Sequence, residues 1–399
     1  MSESKNVFKH NDLRTTYVKL WTYLLVLVPI TLDYFFQETK VARYTRVLVL
    51  VVITASVLIN NRSFLRTRLQ NPEIIFFTTA LYIVGTFSSL THGGTITPNV
   101  LSLIIFMLIV ALNLDLYEEI FKSVVTCVQI IVSLSTLVIL LKLNPRNYFA
   151  SSVGYPVYFD SIGIPGRNYG ILSHPNSLGQ SACISILLIL ASKSNKLLLP
   201  LPVFCILKCG SRTAIVSTLV SLLLYYVIWI FKSRNKLTKI NKSGSSFVLG
   251  SLIISIFLSS ILQFVNYINV LDPNGLTQRV SIWQNTFTIF KSSPILGLGW
   301  GWEQRAIESS LLNIWATSAH NLILEMLFGS GIVGLLLFLL IVTEVLVYFG
   351  SLYAIEKMLI TSILVFGVSE ASIDLVYPTI QTFIFFLIAL GINKNSVSK

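Results

Sequence analysis

Apolar runs of about 18 or more residues, separated by short polar segments, recur along the whole chain, and each is long enough to cross a bilayer core about 30 Å thick as a helix. They predict about twelve spans, near 18–36, 44–60, 73–90, 98–114, 120–141, 175–192, 196–209, 213–231, 246–268, 321–348, 354–370 and 374–391. The seventh is short and holds Pro200 and Pro202, which predicts a broken or re-entrant segment covered by its neighbours. Two polar stretches are longer than the others, 142–174 and 269–320. Within the second, Val280, Trp283, Phe287 and Phe290 recur at helical spacing and predict a short amphipathic helix lying at the membrane interface. Pro294 and the glycines after it end that helix. The expected fold is an all-α polytopic membrane protein, residues 1–399 forming one integral membrane domain with long loops at 142–174 and 269–320.

Composition agrees. Of 399 residues, 54% are hydrophobic and only 12% charged, about half the charged share of a soluble domain. Mean hydropathy is +0.77. The formal charge of +12 sits in short clusters between apolar runs, a pattern that sets membrane orientation and does not form a nucleic-acid-binding face. The polar N-terminus lacks a small-residue cleavage pattern before the first span and reads as a cytoplasmic tail. With that end inside, more than half of the 29 Lys and Arg residues fall on the inner side, including the dense run KSRNKLTKINK at 232–242. Both termini are then cytoplasmic and both long loops extracytoplasmic. Cys127, Cys183, Cys205 and Cys209 all lie in apolar runs with no Cys-x-x-Cys pair or adjacent His, as expected of small interior residues.

Some outward residues suit chemistry better than anchoring. Arg212 lies in Gly210-Ser211-Arg212-Thr213, Arg279 opens the amphipathic helix, and Arg167 lies in Pro165-Gly166-Arg167-Asn168-Tyr169-Gly170. A guanidinium is always charged and offers a planar fork that matches phosphate oxygens, so three of them above a bilayer suggest a lipid-linked phosphate or diphosphate. The plainer role of each is to reach lipid headgroups or pair with an acid. His320, where the long loop meets the tenth span, can take a proton from a hydroxyl. Asn321 beside it can fix the ring or a substrate hydroxyl, and Glu325 lies one turn into the membrane, where an ionisable group is a functional suspect. His174 and Asn176, in Ser173-His174-Pro175-Asn176, face the same side, as do Glu370 and Asp374, which can orient a histidine, bind sugar hydroxyls or cap a turn. Trp300 and Trp302 are expected on a flexible glycine-rich turn, free to stack on sugar rings or anchor in headgroups. Two histidines without carboxylates at ligand spacing give no metal site. There is no Asp-x-Asp and no P-loop, and no cofactor is expected.

At these residues the chain resembles the O-antigen polymerase and O-antigen ligase superfamily of bacterial polysaccharide assembly. The elements that carry the resemblance are Arg167, then Ser173-His174-Pro175-Asn176 and Gly210-Ser211-Arg212-Thr213-Ala214. They continue with Arg279-x-x-x-Trp283, Pro294-x-x-Gly297-x-Gly299, Ala319-His320-Asn321 and Gly329-x-Gly331-x-x-Gly334. The resemblance implies a GT-C-like membrane glycosyltransferase, inverting and metal-independent, that polymerises undecaprenyl-diphosphate-linked oligosaccharide repeat units into surface polysaccharide. Its catalytic residues would be His320, Arg279 and Arg212, with Arg167, His174, Asn176, Asn321, Trp283, Glu325 and Glu370 binding substrate. The expected partners are the lipid-linked donor, a glycan acceptor and membrane lipids, with a flippase and a chain-length regulator; the expected place is the bacterial cytoplasmic (inner) membrane, with the active site extracytoplasmic. A ligase passing the glycan to a lipid A core is the alternative within the superfamily. Outside it, about twelve spans also suit a flippase or transporter, but the candidate polar groups gather on one face and not at the midplane.

Overall fold

The apolar runs fold as helices. The computed structural model describes residues 2–36, 40–60, 71–92, 99–143, 168–172, 174–191, 196–234, 275–302, 319–368, 370–375 and 378–392. In chain order the helices are α1 (Ser2–Phe36), α2 (Lys40–Asn60), α3 (Pro72–Thr91), α4 (Asn99–Leu112), α5 (Tyr117–Leu140), α6 (Pro175–Ala191), α7 (Pro200–Cys209) and α8 (Arg212–Arg234). They are followed by α9 (Gly275–Phe290), α10 (Leu322–Val347), α11 (Ala354–Gly367) and α12 (Ile380–Gly391). No strand occurs among the described residues. Three segments, Pro72–Thr91, Leu114–Leu140 and Leu322–Val347, are long and apolar enough to cross a membrane by length and composition. The range expected to hold the ninth span, 246–268, lies outside the described residues, as does Arg167. The amphipathic helix of the long loop is α9.

One half of an expectation is corrected. The seventh span is not broken at its prolines. Pro200 and Pro202 sit in the first turn of α7, where a missing N–H breaks no helical bond, and Gly210 caps the other end at φ 59°. The helix is short, ten residues, yet continuous. The break lies instead in the tenth span, where Gly331 takes φ 70° and ψ −170° inside α10.

Helix ends sort into two opposite groups. At one, Arg14 is buried and donates to both carboxylate oxygens of Asp115 at 2.7 and 2.9 Å and to Asn113 Oδ1 at 3.0 Å, tying α1 to the α4–α5 turn. Tyr117 at the start of α5 donates to Glu356 at the start of α11 (2.6 Å). Asn71, just before α3, donates through Nδ2 to the carbonyls of Leu390 and Ile392 at 2.8 Å each, closing the end of α12. Because Asn71 also holds a left-handed backbone (φ 51°), Asn71→Ala is expected to cost about 2 kcal/mol, read as a lower thermal midpoint in detergent. The opposite end gathers the first turns of α6, α8, α10 and α12 with the last turns of α3, α5, α7 and α11, as alternating antiparallel helices require.

Large apolar side chains point outward along several helices, among them Phe76, Ile83, Leu219, Leu223, Leu336 and Leu340. Such a surface suits lipid, not water. Inside, small polar groups let helices approach: Cys183 of α6, Ser217 of α8 and Ser362 of α11 contact one another at 3.0 to 3.3 Å. All four cysteines are buried thiols, with no disulfide between them.

Candidate functional site

The site stands on an interlock between two glycine motifs. The kink at Gly331 frees backbone groups of α10, and the segment after α9 satisfies them. Leu298 and Gly299 donate to the carbonyls of Phe328 and Gly329 at 2.7 and 2.8 Å, and Ile332 and Val333 donate to those of Pro294 and Ile295 at 3.0 and 3.2 Å. A Cβ at Gly331 would strike the Ile295 carbonyl and the Gly297 nitrogen, so the two backbones touch only because glycine stands there. From the other side, α3 holds the same segment: Ser88 Oγ donates to the Gly297 carbonyl (2.7 Å), and Ser89 Oγ accepts from the Trp300 N–H (2.6 Å).

This corrects the expectation of a flexible turn presenting two tryptophans. Trp300 and Trp302 are 6% and 2% exposed. Trp300 fits over Gly85 of α3 and packs against Tyr82, and Trp302 packs edge-on to Phe328. Neither is placed to stack on a sugar.

Trp302 instead holds Glu325, the carboxylate suspected of chemistry one turn into α10. Its Nε1–H donates to Glu325 Oε1 (3.1 Å), and Glu325 Oε2 accepts from the Ala319 N–H (2.8 Å). The Ala319 carbonyl in turn accepts from Trp283 Nε1–H (2.8 Å). Ala319 is fully buried between them. The next residue, His320, takes a left-handed backbone, φ 49°, a conformation that costs a non-glycine residue about 1 kcal/mol or more. Asn321 then caps α10, accepting from Leu324 N (3.0 Å) while its Nδ2 donates to the Val368 carbonyl (2.8 Å). That second bond fastens the start of α10 to the end of α11.

Glu370 follows directly after α11 and meets the histidine. Its Oε2 lies 2.9 Å from His320 Nδ1, and its Oε1 accepts from Asn176 Nδ2 at 2.6 Å. The side chains of Glu370 and His320 are 8% and 15% exposed. A carboxylate accepts only, so Nδ1 of His320 carries the hydrogen, and in the neutral ring Nε2 keeps its lone pair. Asn176 belongs to the first turn of α6, which His174 caps: His174 Nδ1 accepts from the Asn176 N–H at 3.2 Å. Asp374 is held through its backbone, by Thr382 Oγ1.

The two arginines belong to helices tied to this cluster. Arg212 is the first residue of α8, after the buried Ser211 whose Oγ accepts from Ala214 N (3.4 Å). A Cβ at Gly179 would meet Ser211 and Ala214 at 2.7 and 2.9 Å, so the start of α8 packs one turn along α6 from Asn176. Arg279 lies in α9, one turn before Trp283 and on the same face, about 6 Å along the axis. Trp283, one turn further along α9, is the side chain of this helix bonded beside His320. Among the described residues, no three His, Cys, Asp or Glu side chains converge as a metal site would require.

The structure therefore brings His320, Glu370 and Asn176 into one hydrogen-bonded chain, with His174 at its edge. It assigns Asn321, Trp283 and Glu325 to bonds that hold backbone. The seat on α3 formed by Gly85, Ser88 and Ser89 was missed from sequence, since small residues in an apolar run carry no distinguishing signal.

A family model described as O-antigen ligase matches residues 197–339. A curated relative, the "General O-oligosaccharyltransferase" of Acinetobacter baylyi (strain ATCC 33305 / BD413 / ADP1), is 25% identical over 188 residues, 41% of this chain and 32% of the relative. The aligned part of the chain thus spans about a third of that relative's length, 32%. The family match takes in Arg212, Arg279, Trp283, His320, Glu325 and both glycine motifs, while Asn176 and Glu370 lie outside it. The resemblance read from the motifs is thereby shown: this chain is similar to the O-antigen polymerase and ligase superfamily, over the region that carries Arg212, Arg279 and His320.

Proposed function

We propose that the protein is a membrane glycosyltransferase that moves a glycan from undecaprenyl diphosphate to an acceptor hydroxyl at the outer face of the bacterial cytoplasmic membrane. The observation that carries this reading is the His320–Glu370 pair, 2.9 Å apart, beside the helices that bear Arg212 and Arg279. The acceptor oxygen attacks the anomeric carbon as its proton passes to His320 Nε2. The bond from that carbon to the phosphate oxygen breaks, and the diphosphate leaves with the electron pair. Glu370 offsets the imidazolium charge, and Arg212 and Arg279 offset the charge gathering on the diphosphate. One displacement inverts the anomeric centre. The diphosphate is already a good leaving group when paired with two guanidinium ions, so this scheme uses no metal.

The first reading of the acceptor is a second lipid-linked repeat unit, which makes the protein a polymerase aided by a flippase and a chain-length regulator. The second is a ligase or oligosaccharyltransferase acceptor, favoured by the description of the matching family and the name of the relative. Purified protein with lipid-linked repeat units alone separates the two. A ladder of products means polymerase, and transfer only after lipid A core or acceptor protein is added means the second reading. No transfer under any of these conditions sinks the proposal. Arg279→Lys is expected to lower transfer about a hundredfold, since an ammonium cannot reproduce the two-pronged fork; full activity in that variant would remove the bidentate argument.

A further inference from the structure

The residue just before His320, Ala319, is gripped at both of its backbone polar groups. Its N–H goes to Glu325 of α10, which Trp302 steadies, and its carbonyl accepts from Trp283 of α9. Ala319 is fully buried, in one apolar cluster with Leu298, Trp302 and Phe328. The residue that follows holds φ 49°, a conformation the backbone does not keep unless its surroundings fix it. Three side chains spend their polar groups on this one place, although a half-buried carboxylate beside the proposed site would serve a sugar hydroxyl equally well.

We propose that Trp283 and Glu325 are positioning residues that act through His320, and that Trp283 couples the diphosphate-binding helix to the base. This rests on the function proposed above and assigns both residues a role other than substrate contact. The grip on Ala319 fixes the backbone beside His320, whose Nδ1 meets Glu370. Trp283 lies one turn after Arg279, so α9 cannot shift along its axis without pulling on the Ala319 carbonyl. A donor whose diphosphate seats Arg279 therefore also seats the peptide that carries the base. Charge recognition and proton acceptance then become ready together.

The test uses full-length protein in nanodiscs with two nearly isosteric variants, Trp283→Phe and Glu325→Gln. Phenylalanine keeps the ring and loses the N–H. Glutamine keeps the shape but has one acceptor oxygen for two donors. Both are expected to lower kcat about tenfold to a hundredfold, with KM for the lipid-linked donor within about twofold and undecaprenyl diphosphate bound at the wild-type stoichiometry. The stoichiometry counts folded protein, so a merely unfolded fraction would show there. Lost affinity for undecaprenyl diphosphate with kcat retained would mean that Trp283 touches the donor, and would overturn the proposal. The imidazole 15N spectrum, with His320 assigned against His320→Gln, reads the geometry without substrate. Wild type should show the ring protonated at Nδ1, and both variants a mixture of tautomers. Wild-type kcat and a wild-type spectrum in both variants would overturn the grip. A wild type that transfers no glycan while the spectra shift as expected would overturn the function and leave the grip standing.

Discussion

Replacing His320 by alanine is expected to lower glycan transfer at least about a thousandfold while leaving the protein folded in the membrane, because it removes the group proposed to take the acceptor's proton. The site around it explains why folding should survive. The ring is 15% exposed, and the backbone beside it is held by Glu325, Trp283 and Asn321, none of which needs the imidazole. Glu370→Gln probes the same chain one link back. Glutamine can still bond Nδ1 through its oxygen, but it carries no charge to offset the imidazolium, and its amide must be turned away from Asn176 Nδ2, which also donates. An approximately hundredfold loss of kcat is expected, smaller than that of His320→Ala. The two variants should not add: in a His320→Ala background Glu370→Gln should change residual transfer by less than about twofold. Additive losses would show that Glu370 acts on substrate directly, and wild-type transfer by His320→Ala would end the proposed chemistry.

Gly331→Ala is expected to be the most damaging single change to the fold. The position combines φ 70° with ψ −170°, a region open essentially to glycine. A methyl there would also strike the carbonyl of Ile295 and the nitrogen of Gly297, which are backbone atoms and cannot rotate aside. Strain alone costs about 1 to 3 kcal/mol. Parting the two backbones would also release the four bonds that close the kink, from Leu298, Gly299, Ile332 and Val333, each worth about 1 kcal/mol. That total rivals the stability of many domains. Size-exclusion chromatography of detergent extracts should show folded protein lost from Gly331→Ala but kept in Gly329→Ala, whose added methyl meets only Trp300 and Trp302 at ordinary contact distances, 3.5 to 3.9 Å. A well-folded Gly331→Ala protein would mean the interlock yields cheaply.

The helices were legible because a lipid-facing helix must be apolar nearly all round for 18 residues or more, a local property of composition. The amphipathic α9 was legible for a similar reason, its spacing of Trp283, Phe287 and Phe290 being a helical period. Prolines misled at α7, because a proline inside an apolar run reads as a break unless it is known to lie in the first turn. Glycines misled at 297–301, because glycine signals freedom in a chain and close contact in a packed structure. The same residues that suggested a loose turn are those that let it press against α3 and α10.

For the site, residue types alone singled out His320, Arg212 and Arg279, since few side chains take a proton at neutral pH or fork onto a diphosphate. Which carboxylate serves the histidine was open among Glu325, Glu370 and Asp374. Glu325 is nearest in sequence and lies one helical turn from Asn321, yet the tertiary structure spends both its oxygens on Trp302 and Ala319. Glu370, fifty residues downstream of the histidine, is the partner. Asn176 reaches it from 194 positions upstream. No local pattern encodes such a choice. A carboxylate's role depends on which donors fill its lone pairs, and those donors come from whichever helices the packing brings together. The amino-acid sequence by itself indicated an apolar helical chain and singled out a histidine and several arginines; only the packing of α6, α10 and α11 decided which acid meets the histidine and which acid meets the backbone.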